Sequence, residues 1–257
     1  FWRSQLTGAS YTQFPMLPSP QHQASADARL VHSAKFVWKL ESSITSSTVI
    51  RAAWAVVVAE YSGSKDVVFG VTLSGRNASV PGVDKMIGPT INTVPIRVCV
   101  DSSQSVAEYL ESVQTQAIDM IGFEQTGLQE IRRLGSRMRD ACDFQNILVV
   151  QAALEMDGEM AIFNSPISRG PRPGFSVHPL TVECVINDQG VEIVAHFDSH
   201  IIDHEQMERI LFNFEHVLKQ LLSESGEVRV GDVGTISPKE YSDILGWNQK
   251  CPEAVDA

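Results

Sequence analysis

The sequence predicts an α/β layered domain, and three observations predict it. Short runs rich in Val and Ile alternate with longer stretches of helical periodicity. One helix-length run, residues 46–61, is apolar nearly all round, which suits a helix buried between layers. No segment repeats at a fixed period, which sets solenoids and propellers aside.

Taken in order, residues 7–35 are rich in Pro, Ser, Gln and Ala and predict an extended linker, with Pro15, Pro18 and Pro20 disfavouring helix. Residues 36–40 then predict a short strand. Ser46 to Tyr61 predicts a helix, with Thr45, Ser46 and Ser47 as caps and Gly63 as its terminator. Asp66–Thr72 and Ile91–Val100 predict strands, and Pro95 requires the second to lie at an edge or carry a bulge. Residues 104–121 predict an amphipathic helix on Val106, Leu110, Val113, Ala117 and Met120, with a short helix at 127–134 and a strand from Asn146 to Gln151. Residues 156–177, carrying Gly158, Pro166, Gly170, Pro171, Pro173 and Gly174, predict a long irregular loop. Strands at 179–186 and 190–197 predict a hairpin around Asn187-Asp188-Gln189-Gly190. Asp203 is placed to cap a helix to about Leu222, with Gln206 in capping-box position and Met207, Ile210, Phe214, Val217 and Leu221 as its buried stripe.

Composition narrows the function. Of 257 residues, 43% are hydrophobic and 20% charged, which excludes wholesale disorder. The formal net charge of -11 argues against a nucleic-acid surface. No stretch reaches the ~20 apolar residues that span a bilayer, so no membrane partner is expected. Cys99, Cys142, Cys184 and Cys251 are scattered without a C-x-x-C pair, as free thiols of a reducing compartment would be, and a cytoplasmic location is expected. The sequon Asn77-Ala78-Ser79 is then expected to be unused. The opening Phe1-Trp2-Arg3 reads as an internal start within a longer polypeptide.

Catalytic and metal patterns are sparse. Ser62-Gly63-Ser64-Lys65 matches S-x-x-K but sits at a helix C-terminus, where the dipole opposes an alkoxide, and reads as a helix-ending turn. His196, His200 and His204 are spaced by four, yet span a strand and the start of a helix, so no metal site is expected. His178 follows the Gly/Pro-rich loop and is a lone histidine. Segment 69–97 stands apart, because Ser74, Arg76, Asn92 and Thr93 interrupt apolar strand ends, and Gly75 and Gly88 free the backbone for close approach. From the residues alone these are two loops capped by polar side chains, or a site.

Ile87-Gly88-Pro89-Thr90-Ile91-Asn92-Thr93-Val94-Pro95-Ile96-Arg97 resembles the fifth core motif of the condensation domains of nonribosomal peptide synthetases. Phe69-Gly70 and Ser74-Gly75-Arg76 match that family's F-G-x-x-x-S-G-R segment in its fungal form. Gly122 to Leu128 and Cys142 to Leu148 stand where the sixth and seventh motifs belong, in divergent form. Phe1 to Gly8 is similar to the family's Y-W-x-x-x-L-x-G stretch, and Ile236-Ser237-Pro238 through Trp247-Asn248-Gln249-Lys250-Cys251-Pro252 looks like the approach to an adenylation domain.

The resemblance implies a chloramphenicol acetyltransferase-like lobe, a mixed sheet packed with helices, forming the C-terminal half of a condensation domain. It implies residues 1–35 as inter-lobe crossing segment and linker, 36–228 as the lobe, and 229–257 as a linker toward a downstream adenylation domain. The implied reaction joins aminoacyl or peptidyl thioesters carried on the phosphopantetheine arms of peptidyl carrier domains, with no cofactor bound directly. Ser74, Gly75, Arg76, Asn92 and Thr93 are expected to line the substrate tunnel, and Arg97 to make a structural ion pair or orient substrate. The family's H-H-x-x-x-D-G motif is absent from these 257 residues and is expected in an N-terminal lobe, so the chain alone is expected to be inactive. The alternatives are a non-catalytic docking module for carrier or adenylation domains, or a related acyltransferase or epimerisation domain.

Overall fold

The computed structural model describes residues 1–38, 43–76, 81–152, 178–223 and 228–249. Its spine is helix α2 (Ser46–Ser62), which follows a short helix α1 (Trp2–Leu6). The Thr45 hydroxyl accepts from the Thr48 N–H at 3.2 Å, satisfying a donor that the first turn leaves orphaned. Gly63, at φ 63°, ends the helix in the left-handed conformation that glycine adopts without strain. Every residue from Thr48 to Val58 is buried.

Around it, among the described residues, six strands form one mixed sheet: β1 (Ala28–Lys35), β2 (Asp66–Leu73), β3 (Asn92–Cys99), β4 (Asn146–Ala152), β5 (Leu180–Asn187) and β6 (Gly190–Phe197). Their spatial order is β1-β6-β5-β4-β2-β3. β4 is parallel to both β2 and β5, and the remaining pairs are antiparallel. β3 is an edge strand, as Pro95 requires. The Arg97 carbonyl accepts from Gln116 Nε2 at 2.6 Å, so this outward face of β3, which Pro95 shares, bonds to no strand. β5 and β6 make the expected hairpin. Both faces of β6 are covered, with only Glu192 exposed.

Helix α3 (Val106–Met120) opens on a full capping box between Ser105 and Glu108. The Tyr109 hydroxyl donates to the Ala52 carbonyl at 3.0 Å, pinning α3 to α2. Helix α4 (Leu128–Arg133) is the short helix expected there; α5 (Ser136–Ala141) is an addition, too short and polar to announce itself. Helix α6 (His204–Ser223) begins with Asp203 Oδ1 accepting the Gln206 N–H at 2.7 Å. Its stripe of Met207, Ile210, Phe214, Val217 and Leu221 is buried as expected. At the centre the Trp54 ring meets Phe214 edge-on at 5.3 Å, while its Nε1 donates to Asn146 Oδ1 at 3.0 Å. Asn146, fully buried, in turn donates to the Phe14 carbonyl at 2.6 Å, so this core polar group bonds in both senses.

Two secondary-structure expectations change. Residues 28–35, read as linker, form β1 and pair along their length with β6. The run before them is held too: Asp198 accepts from the Ser25 N–H at 3.0 Å and meets His22 Nε2 at 2.8 Å. The strand expected at 36–40 is not formed over 36–38, where Trp38 instead donates from Nε1 to the Asn187 carbonyl at 3.1 Å. Residues 39–40 lie outside the described residues, as does the loop expected at 156–177. Beyond α6, residues 229–249 pack against the rest of the described structure. Val230 and Val233 are buried, and helix α7 (Pro238–Gln249) packs on α6, with Lys239 paired to Glu208 at 2.7 Å and Arg209 stacked over Trp247. Pro238 is the first helical residue, where its missing N–H costs nothing, and Ser237 Oγ accepts from Glu240 at 3.3 Å. Among the described residues no helix is long and apolar enough to cross a membrane.

Candidate functional site

Because β2 and β3 are antiparallel with Leu73 opposite Asn92, the two unusual segments meet at one end of the sheet. Gly75 sits at φ 67°, and a Cβ there would lie 2.0 Å from the Thr90 carbonyl oxygen and 2.2 Å from Gln125 Nε2. Only glycine satisfies both demands. Thr90 Oγ1 donates to the Ser74 carbonyl at 2.7 Å, and Gln125 Nε2 to the Thr90 carbonyl at 3.2 Å. Asn92 Nδ2 donates to the carbonyls of Glu124 at 2.7 Å and Thr126 at 3.2 Å, while its Oδ1 accepts the Thr93 N–H. Thr93 and Thr72 share a hydroxyl–hydroxyl bond of 3.0 Å. Arg76 donates to the carbonyls of Val83, Met86 and Gly88 at 2.8, 3.2 and 3.3 Å, cross-linking the loop that precedes β3.

Beside this knot lies a cavity of about 660 Å³. Its base is the C-terminal ends of the parallel strands β2 and β4, and its walls are the first turns of α2, the last turns of α3 and Glu124. Ligands of open α/β sheets gather at such strand ends, where neighbouring connections diverge. Ser74 lines the cavity. Gly75, Arg76, Asn92 and Thr93 do not; they fix the loops around it, and Asn92 in particular holds the backbone of Glu124. Arg97 is not part of this site. It lies five residues along β3 from Asn92, about 17 Å at strand rise, and its guanidinium pairs with both oxygens of Asp66 at 2.8 and 2.9 Å while bonding the carbonyls of Gln5, Thr7 and Gly8.

Two charged residues that sequence reasoning passed over are among those at the cavity wall. Arg51, on α2, is only 7% exposed, and its Nη1 has no hydrogen-bond partner among the described residues. Burial lowers its pKa to about 10, against the raising influence of nearby Glu124, so it is still a cation at neutral pH. Glu124 is 4% exposed with Oε2 likewise unpartnered among the described residues, and burial raises its carboxyl above the usual range while Arg51 opposes. The signal in the sequence was a lone basic residue inside the apolar run Val49-Ile50-Arg51-Ala52-Ala53.

Other candidates are accounted for locally. Ser62 Oγ donates to the Ala59 carbonyl as a helix-end turn. His178 stacks on Phe144 at a centroid distance of 5.2 Å and bonds its carbonyl. His196, His200 and His204 are not brought together; Asp27, Asp198 and His200 are, but Asp198 already accepts the N–H groups of Ser25 and His200. Phe144 also explains the pair Phe69-Gly70: a Cβ on Gly70 would lie 2.3 Å from the Phe144 ring.

Comparison with known proteins agrees with the geometry. A family model described as the condensation domain matches residues 1–245. The chain is 40% identical over its full length to the nonribosomal peptide synthetase ungA' of Aspergillus campestris, and 39% identical, again over its full length, to the N-benzoylphenylalaninol synthetase apmA of Penicillium brevicompactum. It spans 3% and 11% of those two relatives. Among solved structures, that of a protein named CT superposes with a TM-score of 0.69 at 22% identity, over 91% of this chain and 52% of that one. A four-domain nonribosomal peptide synthetase bound to AMP and glycine superposes with a TM-score of 0.66 at 16% identity, over 95% of this chain and 20% of that one. With its mixed sheet, its knotted strand-end loops and this match along nearly all its length, the chain belongs to the condensation domain family of nonribosomal peptide synthetases.

Proposed function

We propose that this chain is the C-terminal lobe of a condensation domain that forms an amide between two carrier-tethered thioesters, and that by itself it has no turnover. The observation that carries the reading is the cavity at the β2 and β4 ends beside the Ser74–Arg76 and Thr90–Thr93 knot. In it Ser74 faces the substrate, Gly75, Asn92 and Thr93 hold the tunnel floor in shape, and Arg76 braces the adjoining loop. The partners are an N-terminal lobe, peptidyl carrier domains whose phosphopantetheine arms deliver the substrates, and a downstream adenylation domain approached through 229–257.

Amine attack on a thioester moves a proton, and a positioned base contributes ~10²–10⁴-fold. The 257 residues contain no His-His pair, so the base comes from the other lobe. Holding both tethered reactants together supplies a further ~7–11 kcal/mol in the best cases, which one wall of a tunnel does not provide. The test reconstitutes the complete domain with loaded carriers. The complete domain forms peptide and the 257-residue chain forms none; peptide from the chain alone overturns the division of labour. Carrier binding by the complete domain without peptide would favour the docking reading.

A further inference from the structure

A second cavity, of about 800 Å³, shares no lining residue with the one at the β2 and β4 ends. It is a groove lined by α3, by Arg97 to Cys99 of β3 and by Ser4 and Gln5 of α1. Asp101, Glu108, Glu111 and Asp119 all face it. The one cation among its lining residues is Arg97, whose guanidinium is already held by both oxygens of Asp66. Glu108, Glu111, Thr115 and Asp119 recur every three or four residues, which puts them on one side of α3. The N–H groups of Ser103 and Ser105 fix Asp101 and Glu108, whereas Glu111 and Asp119 meet no partner among the described residues. Like charges three apart on a helix repel, so α3 itself gains nothing from Glu111 placed beside Glu108.

The other wall is an unpaired sheet edge. The Val100 N–H returns to the Lys65 carbonyl at 2.7 Å, so the antiparallel register turns the backbone groups of Pro95, Arg97 and Cys99 outward. Gln116 takes the Arg97 carbonyl, but no strand takes the N–H and carbonyl of Cys99. Cys99 is exposed and lines the groove. An antiparallel strand exchanges both bonds of such a residue with a single residue opposite, so Cys99 offers one complete pairing position to an added chain.

We propose that this groove takes an extended polypeptide segment bearing lysine or arginine, its backbone exchanging two hydrogen bonds with Cys99 and its cations lying against Glu108, Glu111 and Asp119. Charge complementarity selects the occupant. An acidic segment meets four carboxylates, and an apolar one desolvates them without supplying a counter-charge. Charged residues also guard sheet edges against pairing; on that rival account the carboxylates only keep the edge solitary, and no basic chain binds. The inference is independent of acyl transfer, since it concerns a different cavity and is read by binding alone.

The test titrates a fluorescein-labelled Lys-Val-Lys-Val-Lys amide into the 257-residue chain carrying Cys251→Ser. It reads anisotropy together with the rate at which iodoacetamide alkylates Cys99, since Cys142 and Cys184 are buried. The comparison ligands are the Glu-Val-Glu-Val-Glu amide, the basic peptide methylated at every backbone nitrogen, and spermine. The basic peptide binds saturably and slows Cys99 alkylation as it covers the thiol. Its affinity falls by about tenfold between roughly 50 and 300 mM NaCl, as screened surface charges require. Glu111→Gln with Asp119→Asn weakens it by about fivefold, two exposed charge pairs being lost, while the far-ultraviolet spectrum is unchanged. No saturable binding, binding that leaves Cys99 alkylation unchanged, equal affinity for the glutamate peptide, or full affinity in the folded double variant each overturn the proposal. Spermine or the methylated peptide binding as tightly as the parent peptide overturns it too, because neither can pair with the β3 edge as a strand does. Should the double variant fail to fold, Cys99 protection and the peptide comparison on the parent chain decide alone.

Discussion

Replacing Arg97 with methionine separates the two roles the sequence allowed it. In the structure its Nε and Nη2 grip both oxygens of Asp66, while Nη1 bonds the Thr7 carbonyl at 2.9 Å and the Gln5 carbonyl at 3.3 Å. Asp66 Oδ2 also accepts the Ser10 N–H at 2.7 Å. The clamp therefore fastens α1, whose Trp2 and Leu6 are buried in the core, to the edge of the sheet. The paired side chains are 24% and 15% exposed, so the loss falls between that of a surface pair, ~0.2–1 kcal/mol, and a fully buried pair broken on one side, ~3–5 kcal/mol. About 2–3 kcal/mol is expected for Arg97→Met, solvent screening included, which for a chain of this size lowers Tm by roughly 5–10 °C. Urea and thermal unfolding measure it, and a cycle with Asp66→Asn should return a coupling of about 1 kcal/mol or more. A change below about 0.5 kcal/mol, accompanied by a loss of peptide formation in the complete domain, would refute the clamp and restore a substrate-orienting role.

Two further outcomes follow from packing and charge. Gly70→Ala drives a methyl group into the Phe144 ring and should cost ~1–3 kcal/mol, recovered in part by shortening Phe144 to leucine; no loss in the urea midpoint would show that the ring moves aside freely. Burial alone would raise the Asp198 carboxyl, but the N–H of Ser25, His22 and the N–H of His200 outweigh it and hold its pKa below the usual carboxylate range. Its contribution is therefore complete above the unfolded value of ~3.9 and is lost as pH falls through the folded value. Urea midpoints taken between pH 6 and pH 3 should fall less steeply for Asp198→Asn than for the parent; parallel curves would remove Asp198 from the acid response.

Elements with strong periodicity were legible. α2, α6 and the β5–β6 hairpin carry their caps and stripes in the sequence, and Pro95 correctly placed β3 at an edge. β1 was not legible, because Ala28-Arg29-Leu30-Val31-His32-Ser33-Ala34-Lys35 alternates weakly after a proline-rich run and owes its shape to β6, more than 150 residues away. α7 was hidden because Ser237-Pro238 reads as readily as a linker as it does a capped first turn. At the site, motif resemblance led to Asn92 and Gly75, which hold the loops, while Arg51 and Glu124 went unnoticed because the one is submerged in an apolar run and the other in a divergent segment.

The pairing of β1 with β6 bears on how such chains are recombined. A breakpoint placed after Lys35, where composition invites one, would strip eight residues from the margin of the sheet and leave the whole outer rim of β6 bare. Once bared, that rim is largely apolar and its amide groups lose their partners, a template for self-association. A hybrid joined there loses the native partner of β6, whereas a joint upstream of Asp27 keeps β1 with the sheet it closes.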